Sequence, residues 1–153
     1  MSSPKFPSKL GLIEATMIAV KHGRPMENRP GVRAIEDRGF EGCRHQRMGS
    51  KRQVLILDRG TLNAFKLQPG DLKENLTVLG LDVNKLAAGT RLACGDEAVL
   101  EITGPCEPCA SMEKIRAGLR DALEDRRGVL CRVLKGGLIR PGDAMTVLDA
   151  PPE

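Results

Sequence analysis

The sequence has no tryptophan or tyrosine, and its only aromatic residues besides histidine are Phe6, Phe40 and Phe65. That removes the flat faces on which single-stranded nucleic acid is stacked, so no nucleic-acid partner is expected. No apolar run approaches the roughly 20 residues needed to cross a bilayer, and no membrane partner is expected either. Residues 1–9 lack the continuous apolar stretch of a secretory signal and read as a flexible lead-in. The five cysteines are an odd number in a chain long enough to fold without disulfide staples. Reduced thiols in a cytoplasm are the expectation.

What is present suits a single soluble domain. Hydrophobic residues make up 41% of the chain and charged residues 29%, and 153 residues are enough to bury a core. The net charge of +4 is uneven. Residues 1–60 hold twelve basic and six acidic side chains, whereas the remainder holds twelve and fourteen. A basic first segment suits an anionic ligand, although a solvated surface has the same composition.

Short apolar or alternating runs at 10–20, 32–35, 53–57, 74–79, 91–94, 97–103, 129–134 and 144–148 read as strands. Gly and Pro turns separate them, with Pro-Gly-Asp at both 69–71 and 141–143. In the run 97–103, Ala98, Leu100 and Ile102 share one face. Asp58 is placed to N-cap a helix reaching Leu67. The clearest helical pattern is Met112, Ile115, Leu119 and Leu123, which predicts one main helix over about 111–126. Many short strands and few helices favour a mainly β fold: a closed or nearly closed β-barrel with a few peripheral helices. The domain spans 10–149, with a tail at 150–153.

The most informative stretch is Thr103-Gly-Pro-Cys-Glu-Pro-Cys-Ala-Ser-Met-Glu113. Pro105 and Pro108 fix φ around Cys106 and remove two backbone donors. A thiol at the start of a helix meets unpaired N–H groups that favour the thiolate, the form that ligates soft metals or attacks as a nucleophile. A Cys-x-x-Cys pair is half of a tetrahedral zinc site. The other cysteines and His45 lie at no diagnostic spacing from it. Upstream, Arg44 and His45 lie on a glycine-rich loop. Arg44 suits phosphate, and His45 suits hydrogen bonding or proton donation near neutral pH.

Several stretches together resemble the MOSC domain, found at the C-terminus of molybdenum cofactor sulfurases and in small stand-alone bacterial proteins. They are Glu74-Asn-Leu-Thr-Val-Leu-Gly-Leu-Asp82, Leu86-Ala-Ala-Gly-Thr-Arg-Leu92, Leu100-Glu-Ile-Thr-Gly-Pro-Cys-Glu-Pro-Cys109 and Val133-Leu-Lys-Gly-Gly-Leu-Ile-Arg-Pro-Gly-Asp143. Gly39-Phe-Glu-Gly-Cys-Arg-His45 and Arg52-Gln-Val-Leu-Ile-Leu57 also fit. The resemblance covers roughly residues 10–149. It implies a barrel of the pyruvate-kinase-barrel type and a site for the molybdenum cofactor (molybdopterin), a pterin dithiolene bearing a phosphate. It places the family cysteine at Cys109, as the molybdenum thiolate ligand, and implies reduction of N-hydroxylated compounds. The other activity it implies is non-enzymatic, with the domain carrying the cofactor or persulfide sulfur for a partner. A pterin cofactor, a small-molecule substrate and a separate redox or cofactor-biosynthesis protein are the implied partners.

On this reading the catalytic candidates are Cys109 and His45. Cys109, Arg44, Asn75, Glu74 and Cys106 are the cofactor-binding candidates, and Cys109 is the metal ligand. Cys106 is a second ligand, a resolving thiol or a neutral neighbour. Glu74 and Asn75 also suit an architectural role at the barrel mouth. One departure concerns Cys43, which stands where the family usually has Asp. It removes a carboxylate and adds a third soft donor. The stretch between Met112 and Gly128 also departs from the commoner stand-alone members.

Overall fold

The alternation seen in the sequence becomes a barrel. The structure, a computed structural model, describes residues 9–148. Most of the lead-in at 1–9 and all of the tail at 150–153 lie outside the described residues. Eleven strands run in chain order: β1 Leu10–Ile18, β2 Glu27–Arg29, β3 Val32–Ile35, β4 Gly39–Phe40, β5 Val54–Asp58, β6 Leu76–Leu79, β7 Arg91–Cys94, β8 Ala98–Pro105, β9 Val129–Lys135, β10 Gly137–Ile139 and β11 Ala144–Val147. Two short helices accompany them, α1 Arg59–Ala64 and α2 Leu119–Ala122. Two 3-10 turns lie at Val83–Lys85 and Ala110–Lys114.

The order β11-β7-β8-β9-β5-β6-β1 closes on itself because β1 also pairs with β11, Leu12 opposite Ala144. Seven strands thus form a ring without a free edge, and β2 pairs along the outer part of β1. Among the described residues only β5 and β6 run parallel, a connection that needs a crossover, and the segment containing α1 supplies it. A small sheet β10-β3-β4 packs on the barrel.

The period-2 pattern decides which side chains enter the interior. Ala98, Leu100 and Ile102 of β8 are buried, and the residues between them are half-buried. They meet Ile13, Ile56, Leu76, Leu92, Cys131, Val133 and Met145 in one continuous core. A second core lies under the helices, where Leu57, Leu62 and Leu72 meet Met112, Leu119 and Leu123.

Two helical expectations are corrected. The helix begun by Asp58 is capped as expected, with Thr61 N–H donating to Asp58 at 3.0 Å. It ends at Ala64 and not Leu67. The predicted main helix over 111–126 is a 3-10 turn at Ala110–Lys114, a break, and the four-residue α2. The break falls at Gly118, which takes φ +85. Glu113 holds the second piece by accepting the N–H groups of Gly118 and Arg120, both at 2.9 Å. Three members of the apolar stripe reach the core, but Ile115 remains exposed. No helix of the described residues is long and apolar enough to cross a membrane.

Candidate functional site

The candidate residues gather at one end of the barrel because three breaks between strands meet there. The first break is the loop after β4. Arg44 N–H donates to Ala19 O at 2.7 Å, which pins this loop to the end of β1. Cys43 is buried, and its sulfur accepts from Ala19 N–H at 3.4 Å and from Asn75 Nδ2 at 3.6 Å. Its pKa falls to about 7 although burial alone would raise it, because hydrogen bonds from the His45 side chain, Ala19 N–H and the His45 backbone favour the thiolate. Its hydrogen-bond donors turn the sulfur into the protein, and it lines neither of the two cavities described below.

The second break is the turn before β6. Glu74 is fully buried, and its carboxylate accepts Gly70 N–H at 2.8 Å and Leu72 N–H at 3.2 Å. Burial raises its pKa, with the Gly70 amide and the Arg127 charge among the opposing effects. Asn75 accepts Leu55 N–H at 3.0 Å and donates to Met17 O at 3.1 Å. One buried amide therefore ties β1, β5 and the Cys43 loop together, while Glu74 shapes the turn. The turn ends at Lys73, whose φ of +65 is rare for a residue with a long side chain.

The third break carries Cys106 and Cys109. Cys106 N–H donates to Gly128 O at 2.9 Å, and Gly128 N–H donates to Asn84 Oδ1 at 2.9 Å. Asn84 also donates to the helix-capping Asp58 at 3.2 Å. Gly128 is thus clamped on both sides, which fixes its neighbour Arg127. Cys106 is buried beside Leu55 and Leu130. Cys109 is exposed and stands at the N-cap of the 3-10 turn. Its sulfur lies 2.8 Å from Ser111 Oγ. The Ser111 hydroxyl is the largest influence lowering its pKa, and the Ser111 amide, the Arg127 charge and the Met112 amide act in the same direction. At the start of a 3-10 turn and not of a regular helix, a hydroxyl, local amides and a guanidinium favour the thiolate.

Two cavities open between these breaks. The larger, about 550 Å³, is lined by Arg44, His45 and Lys73 among others, and by Ser111. Lys21, Arg24 and Lys114 also face it, and Asp71 is its single acidic residue. The smaller, about 190 Å³, is lined by His45, Arg52, Lys73, Asn75, Cys106 and Arg127, with Leu55 and Leu130 closing it. His45 and Lys73 belong to both, so the cavities form one cationic groove. Cys109 lines neither. Its partner Ser111 lines the larger and its neighbour Cys106 the smaller, which puts its sulfur at the rim. His22 is exposed, and Arg44 Nη1 lies 3.3 Å from its Nδ1.

Arg127 is the residue that sequence reasoning passed over. It lies just past the end of the helix predicted over about 111–126, yet it is only 5% exposed. Among the described residues its Nε and Nη1 have no acceptor. Nothing in its local sequence signals burial, because the clamp on Gly128 comes from residues distant in the chain. Among the described residues, no group of three or more His, Cys, Asp or Glu side chains converges to hold a metal ion.

The family model described as the MOSC domain matches residues 44–146, more than half of the chain. The YuaD protein from Bacillus subtilis superposes with a TM-score of 0.80 at 21% identity, covering 90% of this chain and 95% of that one. YiiM from Geobacillus stearothermophilus gives 0.67 at 17% identity, covering 95% and 76%. YiiM from Escherichia coli gives 0.66 at 15%, covering 93% and 72%. No curated protein matches the chain.

Proposed function

The chain belongs to the MOSC domain family, whose members are generally associated with the molybdenum cofactor, and on that premise we propose that its cationic groove binds this cofactor with Cys109 as the thiolate on molybdenum. The observation that carries the reading is an exposed sulfur, held toward its thiolate form, at the rim of a groove that has five Lys and Arg side chains and one acid on one side. A pterin bearing a phosphate is anionic, and such a groove draws it in and orients it. The residues fit the group in a second respect. Arg127 is buried, and among the described residues its Nε and Nη1 have no acceptor, which suits an anionic group. A dithiolene brings its own sulfurs, so one protein thiolate suffices and no cluster of protein ligands is needed.

When bound, the cofactor supplies oxygen-atom and electron chemistry. The chain's own contribution is specific. Ser111 and Arg127 keep the Cys109 sulfur in its ligating form. His45, half-buried between the two cavities, is placed to give a proton to an oxygen leaving an N-hydroxylated substrate. Reduction of such compounds, with electrons from a separate redox protein, is the activity we propose. All five cysteines are free thiols, the state a reducing compartment such as the cytoplasm maintains.

The exposure of Cys109 favours a second reading, in which the thiolate carries the cofactor or a persulfide to a partner. Purification from cells that make the cofactor, followed by molybdenum analysis and fluorescence of the oxidised pterin, tests binding. Turnover of an N-hydroxylated substrate with an artificial electron donor then separates enzyme from carrier. Pterin without turnover supports the carrier, and pterin with turnover supports the reductase.

A further inference from the structure

We infer that Cys43 is a positioning residue for His45: its buried sulfur accepts a hydrogen bond from one ring nitrogen and so presents the other nitrogen to the groove. The Cys43 sulfur is placed as an acceptor. Ala19 N–H reaches it at 3.4 Å and Asn75 Nδ2 at 3.6 Å. Cys94 and Cys106 instead direct their thiols at carbonyl oxygens, those of Leu92 and Glu107, each at 3.9 Å. Asn75 is fixed in this orientation, because its oxygen accepts Leu55 N–H and its nitrogen also donates to Met17 O. The third donor to the sulfur is the His45 side chain. Burial works against the Cys43 thiolate, and the hydrogen bond from His45 is the largest influence in its favour.

The backbone brings the ring to that sulfur. Gln46 N–H donates to Cys43 O at 3.1 Å and Gln46 Nε2 to the same oxygen at 3.3 Å, which closes a turn with His45 inside it. Cys43 lines neither cavity, whereas His45 lines both. The half-buried ring therefore spans from the buried sulfur to the open groove. A neutral imidazole carries one N–H, and the partner of one nitrogen decides where it sits. With that N–H committed to Cys43, the groove-side nitrogen is the one that takes up a proton and gives it away. The cations that share these cavities, Arg44, Arg52, Lys73 and Arg127, cannot accept an N–H. Asp71, the one carboxylate, accepts Gln68 N–H at 2.8 Å in its own turn. The sulfur thus takes the place that a carboxylate commonly fills behind a working imidazole. The catalytic consequence rests on the function proposed above. There the groove-side N–H bond breaks as an O–H bond forms on the oxygen departing from an N-hydroxylated substrate. The electrons that cleave the N–O bond come from the separate redox protein, and the ring returns to neutral with its other N–H still on Cys43.

The orientation itself needs no cofactor and is tested without one. The chain has two histidines, and His22 is exposed. Long-range proton–nitrogen correlation NMR of the nitrogen-labelled full chain, above neutral pH, therefore reads both rings, with His22→Gln to assign them. His45 is expected to show a single tautomer and a ring N–H protected from exchange, and His22 a mixture. Cys43→Ala is expected to lose the single tautomer of His45, and Cys43→Asp, which restores an anionic acceptor, to recover it. Cys131→Ala, at an equally buried core position, is expected to lower the melting temperature and leave the His45 signals unchanged, which separates positioning from packing. A wild-type His45 as mixed as His22 overturns the proposal, and that result depends on no variant folding. An unchanged His45 in a folded Cys43→Ala overturns it as well. In cofactor-loaded protein, kcat on an N-hydroxylated substrate is expected to fall about 10- to 100-fold in Cys43→Ala at unchanged KM, and to recover in Cys43→Asp. Wild-type kcat in a Cys43→Ala that has lost the tautomer removes the role in the reaction. A single tautomer that depends on Cys43, in a wild type without turnover, leaves the pairing standing and removes the reductase reading.

Discussion

Two cysteines of the barrel interior and two at its mouth have pKa values shifted in opposite directions. Cys94 and Cys131 sit in the apolar core, where burial pushes Cys94 up to about 12 and Cys131 well above its ordinary value. Cys43 and Cys109 sit where strands stop, and both are pulled down. Cys43 is as buried as many core residues, at 3% exposure. Burial therefore does not separate the two groups. The difference is hydrogen bonding. Inside a closed ring of strands the backbone donors are paired with each other. At the mouth, the ends of strands leave N–H groups, an amide and a hydroxyl free to face a sulfur. The barrel thus gathers its low-pKa thiols at one end, where an imidazole, backbone amides, a hydroxyl and a guanidinium reach them.

The largest effect expected from this contrast is in thiol reactivity. At pH 7.5 Cys109 is expected to be alkylated at least about a hundredfold faster than Cys94 or Cys131 in the native protein, since the thiolate is the reacting form and only Cys109 is exposed. Peptide mapping after timed iodoacetamide treatment measures this, and equal rates would erase the contrast. Next in size is the interior itself. Leu76→Ala, at a fully buried position, is expected to cost about 2–5 kcal/mol in urea unfolding.

Asn75→Ala sharpens the comparison from the other side. It removes the acceptor of Leu55 N–H and a donor to Cys43, and is expected to cost about 1–3 kcal/mol. It should also raise the Cys43 pKa, which thiolate absorbance near 240 nm reports. In the wild type that absorbance should change with a midpoint of about 7 for Cys43. The sign of the linked stability follows. The folded pKa lies below the unfolded one, so the stabilisation is complete above the unfolded value and is lost as pH falls through about 7. In Cys43→Ala this part of the pH dependence of unfolding should be absent. The smallest effect belongs to Cys109→Ser, an exposed change expected to alter stability by less than about 0.5 kcal/mol.

Much of the barrel was legible in the sequence because the period-2 pattern needs no tertiary knowledge. Ala98, Leu100 and Ile102 point inward as their spacing requires, and the Asp58 cap forms as its side chain dictates. The stretch from Met112 to Leu123 misled because its apolar spacing serves a core contact, whichever helix type delivers it. Gly118 and Glu113 decide the break, and a side chain reaching five residues ahead leaves no periodic trace. At the site, Cys109, Arg44 and His45 could be named from loop chemistry. Arg127 could not, since its burial depends on Asn84 and Cys106 closing on Gly128 from distant segments. Nor could the low pKa of Cys43, where the His45 side chain and the amide of the distant Ala19 act together on a buried sulfur.

The central claim is that the exposed Cys109 thiolate at the mouth of a cationic groove holds the molybdenum cofactor. Its most direct test is the molybdenum and pterin content of wild type and Cys109→Ser purified side by side from cofactor-producing cells, with circular dichroism to verify the fold. The account predicts both components in the wild type and loss of molybdenum from a folded Cys109→Ser. Equal molybdenum in the two proteins, or its loss from Cys106→Ser and not from Cys109→Ser, would contradict it.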